Sequence, residues 1–369
     1  MSNEIENKQL DIKDFNESEI KSEDEKVKIK KPKIKIKYDN KIVVVGSGAF
    51  GTAIAESLVR DENQKNEVIL FGIDAREVND INKNHKNSKY YSLKLSPKLY
   101  ATTDPVEAFS EVDIIMLAIP ALVVRSVIVE TIIPNLSKPA YFVNLAKGFD
   151  YLNIDVLSNI IIETVPKELN LGTMKLSGAS YASELIHKAS TSFILAAESI
   201  ETSKKIYKIL SNKTMKVIPT DELEAVEWLS VLKNPMAILH GLIAGLGHKV
   251  NTKALFFTLT VNEMRRVLKF LGKDENIIFT PAGIGDLFLT GTSSKSRNYS
   301  TGYEIGKADK VAKKSLQKFT TTEGLRSIEI LLRISRKNKL NLQTIEMLYA
   351  IAYNKEKPSV VVNKFLDKF

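Results

Sequence analysis

The segment KIVVVGSGAFGTAIAESL, residues 41–58, constrains this chain more than any other. Ile42 to Val45 form a continuous β-branched run, the signature of a strand buried on both faces of a parallel sheet. Ala49 to Arg60 then reads as a helix, and Gly46, Gly48 and Gly51 join the two. The first glycine permits a tight turn. The second lets a phosphate approach the backbone, and the third allows the helix to pack against the strand. Free N–H groups at the helix start, with the helix dipole behind them, suit an anion. Gly46, Ser47, Gly48, Ala49 and Gly51 are therefore candidate cofactor-binding residues, and the ligand implied is a dinucleotide. A glycine turn needed only for packing would look the same.

The rest of the chain extends this pattern. Glu67 to Gly72, Asp113 to Ile119 ending at Pro120, Ala140 to Leu145 ending at Lys147-Gly148, and Ser192 to Ala197 read as further strands. Leu176 leads into a turn at Ser177-Gly178. Strands alternating with helices predict an α/β fold with a doubly wound, mostly parallel, Rossmann-like sheet. Beyond about Pro219 the spacing turns helical, over Glu222–Leu246, Thr252–Leu271, Gly283–Thr290, Gly324–Asn338 and Gln343–Tyr353. The expected organisation is a dinucleotide-binding domain over residues 39–219 and an all-α substrate and catalytic domain over 220–369, with the active site between them. Residues 1–38 are rich in charge and poor in large apolar side chains, so they are expected to be a disordered, solubilising extension.

Composition narrows the classes. With no cysteine, disulfides, thiolate metal sites and a Cys nucleophile are excluded, and the four histidines at 85, 187, 240 and 248 have no metal-ligand spacing. No metal is expected. His240, among apolar neighbours, reads as a packed or subunit-contact residue. No apolar run reaches the roughly 18 residues of a membrane span, and the acidic N-terminus lacks a signal-peptide core, so a cytoplasmic protein is expected. The net charge of +9 is a dispersed lysine surplus. It argues for a solvated surface and an acidic small-molecule substrate rather than an obligate nucleic-acid partner.

NAD and NADP are not separated at this level. Asp74, after the second strand, suits a ribose 2′-OH and hence NAD; Arg76 suits the extra phosphate of NADP. Asp74 would equally cap the next helix through Asp-Ala-Arg-Glu.

Further along lie groups suited to reducing a carbonyl. That chemistry needs a proton donor, a polarised and oriented substrate, and exclusion of water. Lys233 serves as donor if burial or a neighbouring cation lowers its pKa, and Lys147 is the candidate neighbour. Asp286 would orient Lys233, or merely cap a helix beside Gly285. Asn234 and Thr290 offer neutral hydrogen bonds, while Arg297 offers a planar fork for phosphate with Asn298 beside it. Arg297 in a solvated polar loop is the alternative.

The stretches GSGAFGTAIA, LAKGFD, SGASYASE, LKNPMAI, NEMRRVLKFLG, GIGDLFLTGTSSKSRN and TTEG, in this order, resemble the NAD(P)-dependent glycerol-3-phosphate dehydrogenases over roughly residues 40 to 355. The resemblance implies interconversion of sn-glycerol 3-phosphate and dihydroxyacetone phosphate with NAD(H) or NADP(H), serving phospholipid synthesis, in a homodimer. By it, Lys233 matches the catalytic lysine and Lys147 a lysine that contacts substrate and cofactor. Gly178, Ser180 and Ala182 match a loop lining the nicotinamide and substrate pocket. Asp286, Ser296, Arg297 and Asn298 match substrate-side positions, Arg297 also near the cofactor. Phe50 matches an aromatic position in the glycine turn. Pro120, Thr321 and Glu323 join the cofactor set, Glu323 as a late glutamate contact.

The chain departs from the family at Ala179, where proline is usual, and at Leu229 and Ser230, where two glycines are usual. It also has Pro235 after Asn234, and Ile73 where a polar residue often lies near the adenosine. Bulk at 229 and 230 would crowd the pocket, and a proline would bend the helix beside Lys233. The rival functions are a two-domain dehydrogenase for another hydroxy-substrate and a catalytically impaired dinucleotide sensor.

Overall fold

Strand β1 (Asn40–Val45) lies inside an eight-stranded sheet, as its unbroken apolar sequence requires. The computed structural model describes residues 38–61, 65–150, 155–311 and 323–368. Apart from Tyr38, the N-terminal extension lies outside the described residues, as does Thr321.

The remaining strands are β2 (Asn66–Phe71), β3 (Tyr100–Thr102), β4 (Ile114–Leu117), β5 (Ala140–Asn144), the small hairpin β6 (Phe149–Asp150) and β7 (Asp155–Val156), then β8 (Asn170–Ser177), β9 (Thr191–Ala197) and β10 (Met215–Thr220). The main sheet runs β10-β9-β8-β5-β4-β1-β2-β3. From β8 to β3 all pairings are parallel; β9 runs antiparallel to β8, and β10 parallel to β9. The sheet is thus mostly parallel, as expected. Strand β10 and the short β3 have too little apolar sequence to announce themselves.

Along β1 successive side chains feed opposite apolar layers: Ile42 and Val44 pack on one face, Val43 and Val45 on the other. Burying each contributes about 1.5–3 kcal/mol. The layers are covered by helices α1 (Ala49–Val59), α2 (Ala75–Asn79), α3 (Pro105–Phe109), α4 (Val124–Val127), α5 (Leu157–Thr164), α6 (Ala182–Leu185) and α7 (Ile200–Leu210).

After β10 every described element is helical: α8 (Leu223–Gly245), α9 (Val250–Phe270), α10 (Asp286–Gly291), α11 (Arg297–Ala308), α12 (Glu323–Asn338), α13 (Gln343–Ala352) and α14 (Pro358–Leu366), with short 3-10 and π turns between. Helix α8 is buried over nearly its whole length and forms the axis of this part. It runs on through Pro235, whose missing N–H forfeits one backbone bond without ending the helix.

Two differences from the sequence reading bear on the site. The helix expected over Gly283–Thr290 is split into a π turn (Pro281–Gly285) and α10, so Asp286 opens a helix. The polar loop considered for Arg297 is the first turn of α11, capped by Ser296, whose Oγ accepts from the Tyr299 N–H.

Helix α11 was hidden by its polar start and by Gly302 and Gly306. Those glycines are the reason it packs as it does. A Cβ on Gly302 would fall 1.9 Å from the Ile238 carbonyl oxygen, and one on Gly306 2.2 Å from that of Leu242. The contact is reciprocal: on α8, a Cβ on Gly241 would fall 2.0 Å from the Tyr299 carbonyl oxygen, and one on Gly245 2.2 Å from that of Tyr303. Glycines four apart on each helix therefore bring two backbones into direct contact.

Candidate active site

The parallel strands all end on one edge, where ligands bind in open α/β sheets. Gly46 follows β1, Gly72 to Asp74 follow β2, Pro120 follows β4, Lys147 follows β5, and Gly178 follows β8.

At the glycine turn Gly46 has φ +112°, and a side chain there would strike the Ala118 carbonyl. Gly51 packs so closely that a Cβ would lie 2.0 Å from the Gly46 oxygen. By contrast, a Cβ on Gly48 would meet nothing within 4 Å, so the backbone is approachable there. The first turn of α1 carries no acidic residue to compete with an anion. A pyrophosphate fits this cradle. Phe50 and Ala49 pack on the neighbouring core, and the Ala49 carbonyl accepts from the Tyr91 hydroxyl at 2.7 Å.

Residues unmarked in the sequence hold this turn. Buried Asn87 donates from Nδ2 to the Ser47 carbonyl and to Thr52 Oγ1, both at 2.9 Å. Ser47 Oγ donates to Glu77 at 2.5 Å, and Glu77 pairs with Lys89. The sequence NKNHKNSK around Asn87 is uniformly polar, so nothing singled it out.

Asp74 takes the capping role. It accepts from the Arg76 backbone N–H at 2.9 Å and pairs with the Arg76 guanidinium at 3.0 Å. Arg76 holds its carboxyl below the ordinary range. Both candidates for nucleotide discrimination are thus engaged with each other. Ile73 beside them is 94% exposed.

The groups suited to carbonyl chemistry converge from distant parts of the chain. Lys233, on α8, donates from Nζ to Asp286 Oδ1 at 2.8 Å; Lys147, at the end of β5, donates to Asp286 Oδ2 at 2.7 Å. Asp286 and Lys233 are buried, Lys147 only partly. Asp286 is not the helix cap considered for it; both carboxylate oxygens are taken by ammonium groups. Burial penalises its charge, but the two lysines outweigh burial and hold it below the usual carboxylate range. Burial lowers Lys233 to about 7; Asp286 opposes that shift and Lys147 adds to it. The result is an amine able to hold or release a proton near neutral pH.

Asn234 follows on α8 and accepts from Asn298 Nδ2 at 3.1 Å, tying the start of α11 to the lysine. Gly324 packs on the same pair, so closely that a Cβ on it would fall 2.9 Å from Asn298 Oδ1. That brings the first turn of α12, and with it Glu323, to this end of α8; the Glu323 side chain lies outside the described part. Arg297 is exposed and pairs with nothing among the described residues.

Gly178 lies hard against β9, where a Cβ would fall 2.3 Å from the Ser192 oxygen. Its loop, with half-buried Ser180 and Ala182, reaches α10 through the Tyr181 hydroxyl, which donates to the Leu289 carbonyl at 2.7 Å. Two residues expected to contact substrate also hydrogen-bond within their own helices. The Thr290 hydroxyl donates to the Asp286 carbonyl of its own helix at 2.6 Å, leaving only lone pairs to offer. The Ser296 hydroxyl oxygen accepts from the Tyr299 N–H at the helix cap, which leaves its O–H to donate. Leu229 lies in the hydrophobic core, and Ser230 donates back to the Glu227 carbonyl.

Family models described as the N-terminus and the C-terminus of NAD-dependent glycerol-3-phosphate dehydrogenase match residues 41–203 and 222–363. The chain belongs to this family. A protein of Mesoplasma florum named glycerol-3-phosphate dehydrogenase [NAD(P)+] is 34% identical over 330 residues, 88% of this chain and 97% of its own length. One of the same name from Staphylococcus carnosus is 30% identical over 315 residues, 85% of this chain and 94% of its own. Among solved structures, glycerol-3-phosphate dehydrogenase from Coxiella burnetii superposes with a TM-score of 0.78 at 24% identity, covering 89% of this chain and 99% of that one. A ternary structure of D-mandelate dehydrogenase shares the fold more loosely, with a TM-score of 0.53 at 18% identity over 87% of this chain and 99% of that one.

Proposed function

We propose that this member of the family interconverts sn-glycerol 3-phosphate and dihydroxyacetone phosphate with NAD(H) or NADP(H), supplying glycerol 3-phosphate for phospholipid synthesis. The observation that carries the reading is the Lys147–Asp286–Lys233 cluster at the C-terminal edge of the sheet, with Asp286 and Lys233 buried. The names of the relatives point the same way.

In this reading residues 39–219 hold the nucleotide and 220–369 hold the substrate. The glycine turn, with the start of α1, cradles the pyrophosphate. When bound, the nicotinamide supplies hydride to the substrate C2 in reduction and takes it back in oxidation. Lys233 Nζ gives a proton to the C2 oxygen in reduction and removes it in oxidation. Asp286 aims Lys233, and Lys147 polarises the same oxygen. Arg297 and Asn298, at the positive end of α11, grip the phosphate. On the strength of family membership the reading includes a cytoplasmic homodimer. Among the described residues no helix is long and apolar enough to cross a membrane.

The test is loss of absorbance at about 340 nm, from NADH and then NADPH, on adding dihydroxyacetone phosphate. Unphosphorylated dihydroxyacetone is the control. Oxidation that needs the phosphate supports the reading, and the faster nucleotide names the cofactor; equal rates with both ketones overturn it. Arg297→Ala is expected to raise KM for dihydroxyacetone phosphate by about 10- to 100-fold, the worth of a charge-assisted hydrogen bond of about 1.5–3 kcal/mol. Its rate on unphosphorylated dihydroxyacetone should barely change. An unaltered KM would place the phosphate grip elsewhere.

A further inference from the structure

Outside the lysine cluster, two charged side chains with no solvent exposure face each other: Lys175 on β8 and Glu227 on α8. Their Nζ and Oε2 are 3.1 Å apart. Glu227 Oε1 also accepts from Asn144 Nδ2 at 2.6 Å and from Ser158 Oγ at 2.5 Å. A buried ion pair is a poor source of stability, because desolvation offsets most of the attraction; the best-attested role for such pairs is to fix a geometry.

What this pair fixes is specific. Lys175 Nζ donates to the Ala146 carbonyl, and Asn144 Oδ1 accepts from the Ala146 N–H at 2.9 Å. Both polar groups of the residue directly before Lys147 are therefore held by the network. Two residues past Lys147, Phe149 meets the Trp228 ring edge-on at 5.2 Å, and Trp228 adjoins Glu227. Glu227 precedes Lys233 on the same helix by six residues, about 9 Å. The chain that presents Lys147 is thus fastened to the helix that presents Lys233.

We propose that Lys175 and Glu227 are positioning residues that set the spacing of Lys147 from Lys233 by clamping the end of β5 to α8. This rests on the two lysines acting at the substrate as described above.

The double variant Lys175→Met/Glu227→Gln removes both charges while keeping length and Glu227's acceptor oxygen. It should fold and bind NADH, read by nucleotide fluorescence, as the parent does. Its kcat for dihydroxyacetone phosphate should fall by about 10- to 100-fold, as expected for reacting groups displaced by about an ångström. The pH profile separates positioning from general damage. Lys147 and Asp286 are the charged groups facing Lys233, and the Lys147 charge holds Lys233 down. If Lys147 recedes, the alkaline limb of the reduction profile moves to higher pH. A folded double variant with parental kcat and an unmoved limb overturns the proposal. If that variant does not fold, Ser158→Ala, which removes one bond to Glu227, decides: lower kcat with the limb moved the same way supports it, and parental behaviour overturns it. A parent that cannot reduce dihydroxyacetone phosphate at all would instead remove the functional reading, before any variant is compared.

Discussion

Replacing Lys233 by methionine is expected to cut turnover by about 10² to 10⁴, the usual worth of a positioned general acid. Methionine fills similar space, so the buried stem of Lys233 keeps its packing against α8's neighbours. What is lost is the only buried ammonium bonded to Asp286 among the described residues, the other partner, Lys147, being partly exposed. NADH affinity should be unchanged, because the glycine turn is held separately, by Asn87 and the Ser47–Glu77 pair. The pH behaviour of the parent supplies the companion check. Reduction needs protonated Lys233, so its rate falls as pH rises through the depressed pKa; oxidation needs the free amine, so its rate rises through the same range. Turnover within threefold of the parent in the Lys233→Met protein, with dihydroxyacetone phosphate saturating, would take the proton-transfer role from this residue.

Asp286→Asn should be nearly as damaging, and through stability as well. The carboxylate lies between Nζ groups at 2.7 and 2.8 Å. Asparagine keeps the shape, but it leaves two ammonium groups with one acceptor and confronts one of them with an NH₂. Removing one partner of a buried pair costs about 3–5 kcal/mol, measurable by urea unfolding. Because Asp286 is held below the ordinary carboxylate range, its stabilising contribution is present above about pH 4 and is lost as pH falls through its depressed value. The stability gap between parent and variant should therefore narrow on acidification. The kinetic sign is equally definite. The Asp286 charge raises the Lys233 pKa against burial, so its loss drives the alkaline limb of reduction to lower pH. That is opposite to the shift expected on loosening the Lys175–Glu227 clamp. An Asp286→Asn protein with parental stability and an unmoved limb would mean that the carboxylate neither pairs with nor tunes the lysine.

The sheet and the glycine turn were legible because each carries a local signal: apolar runs of strand length, and glycines at fixed offsets. The long helices followed from apolar spacing. Helix α11 did not, since two of its positions are glycines whose purpose is contact with another backbone, and propensity reads them as breaks. Convergence of the site was legible only through family resemblance. Lys147 and Asp286 are 139 positions apart, and no spacing rule brings them together. Sequence also does not reveal that Thr290 and Ser296 hydrogen-bond within their own helices as well. The supporting charges did leave a trace: Lys175 stands between apolar Met174 and Leu176, and Glu227 interrupts AVEWLSVL. A lone charge inside such a run needs a partner, and each proved to be the other's.

The glycine contacts between α8 and α11 make the pair of helices a ruler. One end of the ruler is the amine of Lys233 and the other is the first turn of α11, where Arg297 begins. With main chain on main chain there is no side chain between the two helices to swing or shorten, so the spacing of their backbones is fixed. With Lys233 and Arg297 acting at the substrate as proposed, such a pair would select by length as well as by charge. A phosphorylated ketone with one more carbon between carbonyl and phosphate should reach one end or the other but not both, and its kcat/KM should fall well below that of dihydroxyacetone phosphate even though its charge is the same.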